Sequence, residues 1–262
     1  MKGITVAIRE RPFLILFGGQ GREGIVLQLL ESGYRISAAV VPAHPSPKLQ
    51  RSVERIRKVN IDVLECQKSN LGHALRQFAG HNLLSVGFPF LLSQEMLGLF
   101  PLCLNVHPTL LPRYRGPASG AYILINHEHE SGSTVHLIDG GMDTGPIVLQ
   151  YRVPLTPFDT IRSLQRKVYS IEPKLVADAL VALDTPGFAL VPQDETQATA
   201  YHEKRRPKDS EIDPHKSVLE LFDFIRACDP DEFPAFFFAA GQRVCIRLWR
   251  PEREPGDDND ML

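Results

Sequence analysis

Residues 13–41 read FLILFGGQGREGIVLQLLESGYRISAAVV, and this stretch decides the fold. FLILF (13–17) is a continuous apolar run ending at Gly18-Gly19, the pattern of a strand buried on both faces of a parallel sheet. In EGIVLQLLES (23–32), Ile25, Val26, Leu29 and Leu30 recur on one helical face, and Gly33 stops the helix. RISAAVV (35–41) predicts the next strand. Strand, helix, strand is the β-α-β unit of an open α/β sheet.

Working outward, 48–58 predicts a polar, basic helix, 61–64 a short strand, 71–79 a helix and 83–87 a strand. LCLNVH (102–107) is another apolar strand, running directly into Pro108. A helix is expected over 117–130, with Pro117 in its first turn where a missing N–H costs nothing. Strands at 133–138 and 147–153 flank the glycine-rich loop DGGMDTGP (139–146), and a helix over 158–183 should break or kink at Pro173. Residues 190–208 are irregular and polar, which places a boundary near them. Beyond it, Ser217 and Glu220 form a capping box for a helix over 218–228. Segments 235–239 and 243–249 alternate as a β-hairpin about Gly241-Gln242. The expectation is an open, mostly parallel, Rossmann-like α/β sheet with helices on both faces in residues 1–200. A small C-terminal helix and hairpin module (201–250) and a disordered acidic tail (251–262) follow.

Composition narrows the function. A net charge of −2 over 262 residues gives no basic field for nucleic acid. Cys66, Cys103, Cys228 and Cys245 make no CxxC, so neither a disulfide framework nor a zinc site is expected, which suits a reducing cytosol. The apolar run in MKGITVAIRERP is short and broken by Arg9, which does not read as a signal peptide, and no stretch is apolar enough to span a membrane.

The candidate chemistry lies at the end of the 102–107 strand. Asn105 and His107 are two apart and project to one side of it. Acyl transfer to an amine needs a donor for the developing oxyanion, a group that handles a proton near neutral pH, and a carboxylate to orient that group. An amide, a histidine and Asp143, set between glycines in GGMDTG, supply these types. Taken alone, an Asn-x-His is more often a capping or core pair.

LNVHPTLLPRYRG (104–116) followed by SGSTVHLIDGGMDTGPIVLQ (131–150) resembles the folate-dependent formyltransferase family, which includes methionyl-tRNA, glycinamide-ribonucleotide and nucleotide-sugar formyltransferases. The family pattern is roughly N-x-H-P-S-L-L-P-x-x-x-G, then G-x-T-x-H, then D-x-G-x-I. This chain departs from it with Thr109 where serine is usual. The resemblance implies that Asn105, His107 and Asp143 form a catalytic triad. It also implies that the pterin of 10-formyltetrahydrofolate lies against Phe88, Phe90, Leu91 and Leu92 and the loop bearing Ile138, Gly140 and Gly141. The stretch KRRPKDSEID (204–213), with Asp209, Ser210 and Asp213, looks most like the nucleotide-sugar enzymes. A nucleotide-linked amino sugar is therefore the expected acceptor, in a cytoplasmic homodimer feeding lipopolysaccharide or other surface-polysaccharide synthesis. Methionyl-tRNA and glycinamide ribonucleotide remain alternatives within the family.

Other features compete. Gly19-Gln20-Gly21-Arg22-Glu23-Gly24 is a G-x-G-x-x-G that on its own suggests an NAD-dependent oxidoreductase. The following strand ends Val40-Val41-Pro42-Ala43 without the ribose-binding acid, so an acceptor phosphate or hydroxyl at Gly19, Gln20 and Gly21 is the preferred reading. Arg113, Arg115, Lys204 and Arg205 are further substrate candidates, weighed against a solvated basic surface. His127-Glu128-His129 puts its histidines two apart, off a shared helix face, so no metal is expected. His136 reads equally as a support to the triad or a core histidine. A folate- or sugar-binding protein without activity is the third class.

Overall fold

The computed structural model describes residues 8–117, 119–201, 203 and 205–252. Its strands are β1 (Phe13–Phe17), β2 (Ile36–Pro42), β3 (Val63–Cys66), β4 (Asn82–Val86), β5 (Leu102–His107), β6 (Glu130–Leu137) and β7 (Ile147–Pro154), which form one sheet ordered β3-β2-β1-β4-β5-β6-β7. Pairings from β3 through β5 are parallel, and those of β5 with β6 and β6 with β7 are antiparallel. The order turns about β1, which lies between β2 and β4; open α/β sheets bind ligands at the carboxyl edge beside such a switch point.

Alternation along β1 sorts the two faces. Phe13, Ile15 and Phe17 pack with helices α1 (Gly24–Glu31), α2 (Pro47–Lys58) and α6 (Ile161–Asp184) through Val26, Val53 and Leu180. Leu14 and Leu16 pack on the other face with Leu71 and Leu75 of α3 (Leu71–Arg76) and with Phe100. Such fully buried side chains contribute about 1.5–3 kcal/mol each. A short α4 (Gln94–Leu97), which the sequence pattern did not suggest, begins at a Ser93 cap.

The expected helix over 117–130 is shorter, α5 (Ser119–Ile125), because His127 turns into the left-handed region and Glu130 already opens β6. His127-Glu128-His129 therefore lies in a turn. Of the break or kink expected at Pro173, the break does not occur: α6 runs through it, and the proline ring packs on Gly24, where a Cβ would lie 3.2 Å from the ring. The C-terminal elements are α7 (Val218–Arg226), with the Ser217/Glu220 capping box, and a separate hairpin of β8 (Ala235–Ala239) and β9 (Gln242–Ile246). The hairpin turns one residue earlier than expected, at Ala240-Gly241, both at positive φ. Arg162 of α6 grips Asp229 at 2.6 Å, and the Arg226 guanidinium donates to the Asp159 carbonyl at 2.7 Å, fastening these elements to the main sheet. The expected tail falls almost wholly outside the described residues.

Candidate active site

Asn105 and His107 emerge from β5 on one side, and the long loop before β7 returns Asp143 to meet them. Asn105 Nδ2 donates to Asp143 Oδ1 at 3.2 Å, and His107 Nδ1 lies 3.5 Å from Asp143 Oδ2. His136, the β6 residue opposite Asn105 in register, completes the cluster. Its Nδ1–H donates to the Leu137 carbonyl at 2.8 Å, its Nε2 lies 3.1 Å from Asn105 Nδ2, and the same nitrogen lies 3.5 Å from Asp143 Oδ1.

The backbone builds these positions. Asp143 has φ of 58°, a left-handed conformation that aspartate tolerates better than most residues. The Gly116 amide donates to Asp143 Oδ2 at 2.9 Å. Only glycine fits there, since φ is 96° and a Cβ would meet the Tyr201 carbonyl oxygen at 2.2 Å. Tyr114, also left-handed, presents its carbonyl to His107 Nε2 at 2.8 Å. That nitrogen must carry the proton, so neutral His107 exposes a lone pair on Nδ1 towards Asp143.

Burial pushes the His107 imidazole below its ordinary value, against the opposing pull of Asp143 and the Tyr114 carbonyl. Burial alone would raise the Asp143 carboxyl. His107, His136 and the Gly116 amide outweigh it and hold the group well below the usual carboxylate range. The site thus pairs a neutral base near pH 7 with a fixed anion beside it. Both Asn105 amide hydrogens point at Asp143 and His136, so donating to an oxyanion requires Asn105 to release one of them.

The two segments assigned to the pterin do converge. Phe88, Phe90, Leu92 and Ile138 join one apolar cluster, and Gly140 approaches Gln94, where a Cβ would meet Nε2 at 2.6 Å. Leu91 is exposed and stands outside this wall, while a Cβ on Gly141 would strike Thr144. An apolar wall beside amide groups fits a flat, hydrogen-bonding heterocycle.

The substrate candidates fare less well. Gln20 N donates to the Gly18 carbonyl and Gly21 N to Ser52 Oγ of α2, so two of the three amides assigned to the acceptor are already taken, and Gly19 is buried. Glu23, at the start of α1, takes Ser52 and Arg55, placing a carboxylate where a bound phosphate would need positive potential. Arg115 is buried and spends its guanidinium on Gln193 and Glu195, at 2.7 Å to each. Arg113 pairs with Glu128, and Arg205 bonds Asp209 and Ser210 within the C-terminal elements. Lys204 lies outside the described residues.

One participant escaped the sequence reading. Residues 191–201, expected as an irregular boundary, run as a strap beneath the site. Gln193 Nε2 donates to the carbonyls of Asp143 (2.8 Å) and Gly145 (2.7 Å), and Arg115 holds the Gln193 oxygen. Backbone bonds of Arg115 with Thr199 and Tyr201 fix the strap to the loop after β5. A polar segment with no period gives no signal of such long-range bonding.

The chain thus carries an Asn-His-Asp cluster at the carboxyl edge of a doubly wound sheet, and comparison with known proteins supplies the family. Residues 37–180, more than half of the chain, match the family model described as formyl transferase; the chain belongs to that family. A methionyl-tRNA formyltransferase from Kosmotoga olearia is 36% identical over 179 residues, covering 67% of this chain and 57% of that protein. The chain spans about half the length of the curated relatives it matches. A 4-N formyltransferase structure from Francisella tularensis superposes with a TM-score of 0.74 at 20% identity, covering 92% of this chain and 98% of its own. The N-formyltransferase from Helicobacter canadensis, solved with folinic acid and dTDP-3-aminofucose, gives 0.66 at 21% identity, over 83% and 80% of the two chains.

Proposed function

We propose that this chain transfers a formyl group from 10-formyltetrahydrofolate to the amino group of a nucleotide-linked amino sugar. The observation that carries the chemistry is the convergence of Asn105, His107 and Asp143, with Asp143 3.2 Å from the amide and 3.5 Å from the imidazole. The folate supplies an activated formyl group; the wall of Phe88, Phe90, Leu92 and Ile138 holds its pterin. The neutral amine attacks the formyl carbon, forming a C–N bond. His107 Nδ1 takes the ammonium proton and delivers it to the departing folate nitrogen as the old C–N bond breaks. Proton uptake turns the approach of His107 to Asp143 from lone pair against anion into an ion pair. Asn105 releases its bond to His136 and donates that N–H to the formyl oxygen as charge develops there.

The solved structures support the amino sugar as acceptor. The N-formyltransferase structures match over most of their own length, and one of them carries an amino-sugar nucleotide. Separately, exposed Val218, Leu219, Phe238 and Val244 on the C-terminal elements suit a homodimer. The identity of the curated relatives keeps methionyl-tRNA as the second reading. No helix among the described residues is long and apolar enough to cross a membrane. The deciding experiment offers 10-formyltetrahydrofolate with a panel of dTDP- and UDP-amino sugars, and separately with methionyl-tRNA. The expected result is tetrahydrofolate release and a formylated sugar nucleotide with at least one panel member. Formylation of methionyl-tRNA alone would overturn the acceptor, and no release with any amine would overturn the activity.

A further inference from the structure

The glycine-rich motif after β1 is tightly built. A Cβ on Gly19 would come within 2.9 Å of Arg22 Cδ, and one on Gly87 within 3.3 Å of Arg22 Nη1. These glycines make room for one side chain. Arg22 is 4% exposed and turns under the sheet's carboxyl edge. Its Nε and Nη2 make a fork to Glu172 of α6, both at 2.6 Å, and Nη2 also donates to the Val106 carbonyl at 3.0 Å. Glu172 and Ser133 are wholly buried; Ser133 Oγ lies 2.9 Å from Glu172 Oε1 and 2.9 Å from the His107 carbonyl. The last two carbonyls of β5 are therefore gripped from below by a network spanning the loop after β1, β6 and α6.

We infer that Arg22, Glu172 and Ser133 are positioning residues that fix the end of β5 and thereby aim His107 at Asp143. The G-x-G-x-x-G turn is the socket for this bolt. A buried ion pair is a costly way to gain stability alone, since well-packed apolar residues often do as well. A guanidinium instead offers a planar fork that locks an angle, which lysine cannot reproduce. The inference rests on the formyl-transfer reading only for its kinetic arm.

The test compares Arg22→Lys, Ser133→Ala and, as a control, Asp159→Asn, which disrupts a different buried ion pair, with Lys167. Two readouts are taken on the full chain. The first is the His107 Nε2–H resonance, held by the Tyr114 carbonyl. It should be slow to exchange in the parent and in Asp159→Asn, and shifted and faster in Arg22→Lys and Ser133→Ala. The second is formyl transfer at saturating donor. Here Arg22→Lys should lower kcat by about tenfold to a hundredfold, the cost typical of a small misplacement, while KM stays within about twofold. Ser133→Ala loses one hydroxyl and leaves the ion pair, so it reports even if Arg22→Lys folds poorly. Unchanged His107 resonances in both variants, or equal loss in Asp159→Asn, would overturn the inference. A parent without formyl transfer would refute the function and leave the resonance arm standing.

Discussion

Replacing Asp143 by Asn removes one charge while preserving shape, since asparagine also accepts the left-handed backbone at that position. In the parent, the carboxylate lies 3.5 Å from His107 Nδ1. At an effective dielectric of about 20, opposite unit charges at such a distance attract by roughly 4–5 kcal/mol. That attraction exists only once His107 has taken the proton, so it favours the transition state over the resting site. Each ~1.4 kcal/mol is tenfold in rate. Reorganisation within the cluster returns part of the loss, and a fall of at least about a hundredfold in kcat is expected, within the range for removal of one electrostatic contact. The assay is tetrahydrofolate release at saturating donor and acceptor from pH 5 to 9. His107 acts as a base only when neutral, so activity falls on the acid side as its proton binds. Asp143 raises the His107 value against burial, so losing the carboxylate moves the acid limb to lower pH as the plateau drops. A variant within about threefold of the parent, or an acid limb that moves upward, would refute the assigned roles.

Asn105→Ala and His107→Ala should each cost at least about a hundredfold in turnover, and the double variant much less than the product, because the groups act as a unit; steady-state kinetics of all three decide it. Gln193→Ala should free the Asp143 and Gly145 carbonyls and lower kcat by about tenfold with little change in KM, measured in the same assay. Because the Asp143 carboxyl is depressed in the folded chain, the stability it adds is full above the unfolded carboxylate value near 4 and is lost as pH falls through the folded value. Thermal melts of parent and Asp143→Asn should therefore converge in acid. Leu180→Ala, at a wholly buried contact of α6, should cost about 2–5 kcal/mol by urea unfolding.

The β-α-β unit, β5, the capping box of α7 and the strand β8 were legible because each rests on local periodicity or capping chemistry. Asn105 and His107 were legible for the same reason: two residues apart on a strand already implies a shared side. Asp143 was named from its glycine-flanked loop and from the resemblance, but its contact with Asn105 and His107 was not legible, since only the tertiary fold brings that loop to β5. Short α4 carries too few residues to show a period, and Pro173 failed to end α6 because tertiary packing against α1 outweighs one lost backbone bond. The roles of Arg115 and Gln193 depend on bonds reaching 78 residues along the chain, which no local pattern encodes. The G-x-G-x-x-G text shows that something approaches the backbone closely without saying what; the fold brings the Arg22 side chain against Gly19.

The left-handed backbone of Asp143 also shapes what a mutational scan of this codon would return. Aspartate is asked for twice, once for its anion and once for a φ of 58° that costs most L-residues roughly 1–2 kcal/mol. A screen for soluble, folded protein should tolerate Gly and Asn at 143 and penalise branched residues. A screen for formyl-transfer activity should accept aspartate alone, since glutamate keeps the charge but strains the turn and overshoots His107. The gap between the two tolerance profiles separates the residue's service to the backbone from its service to the chemistry at a single position.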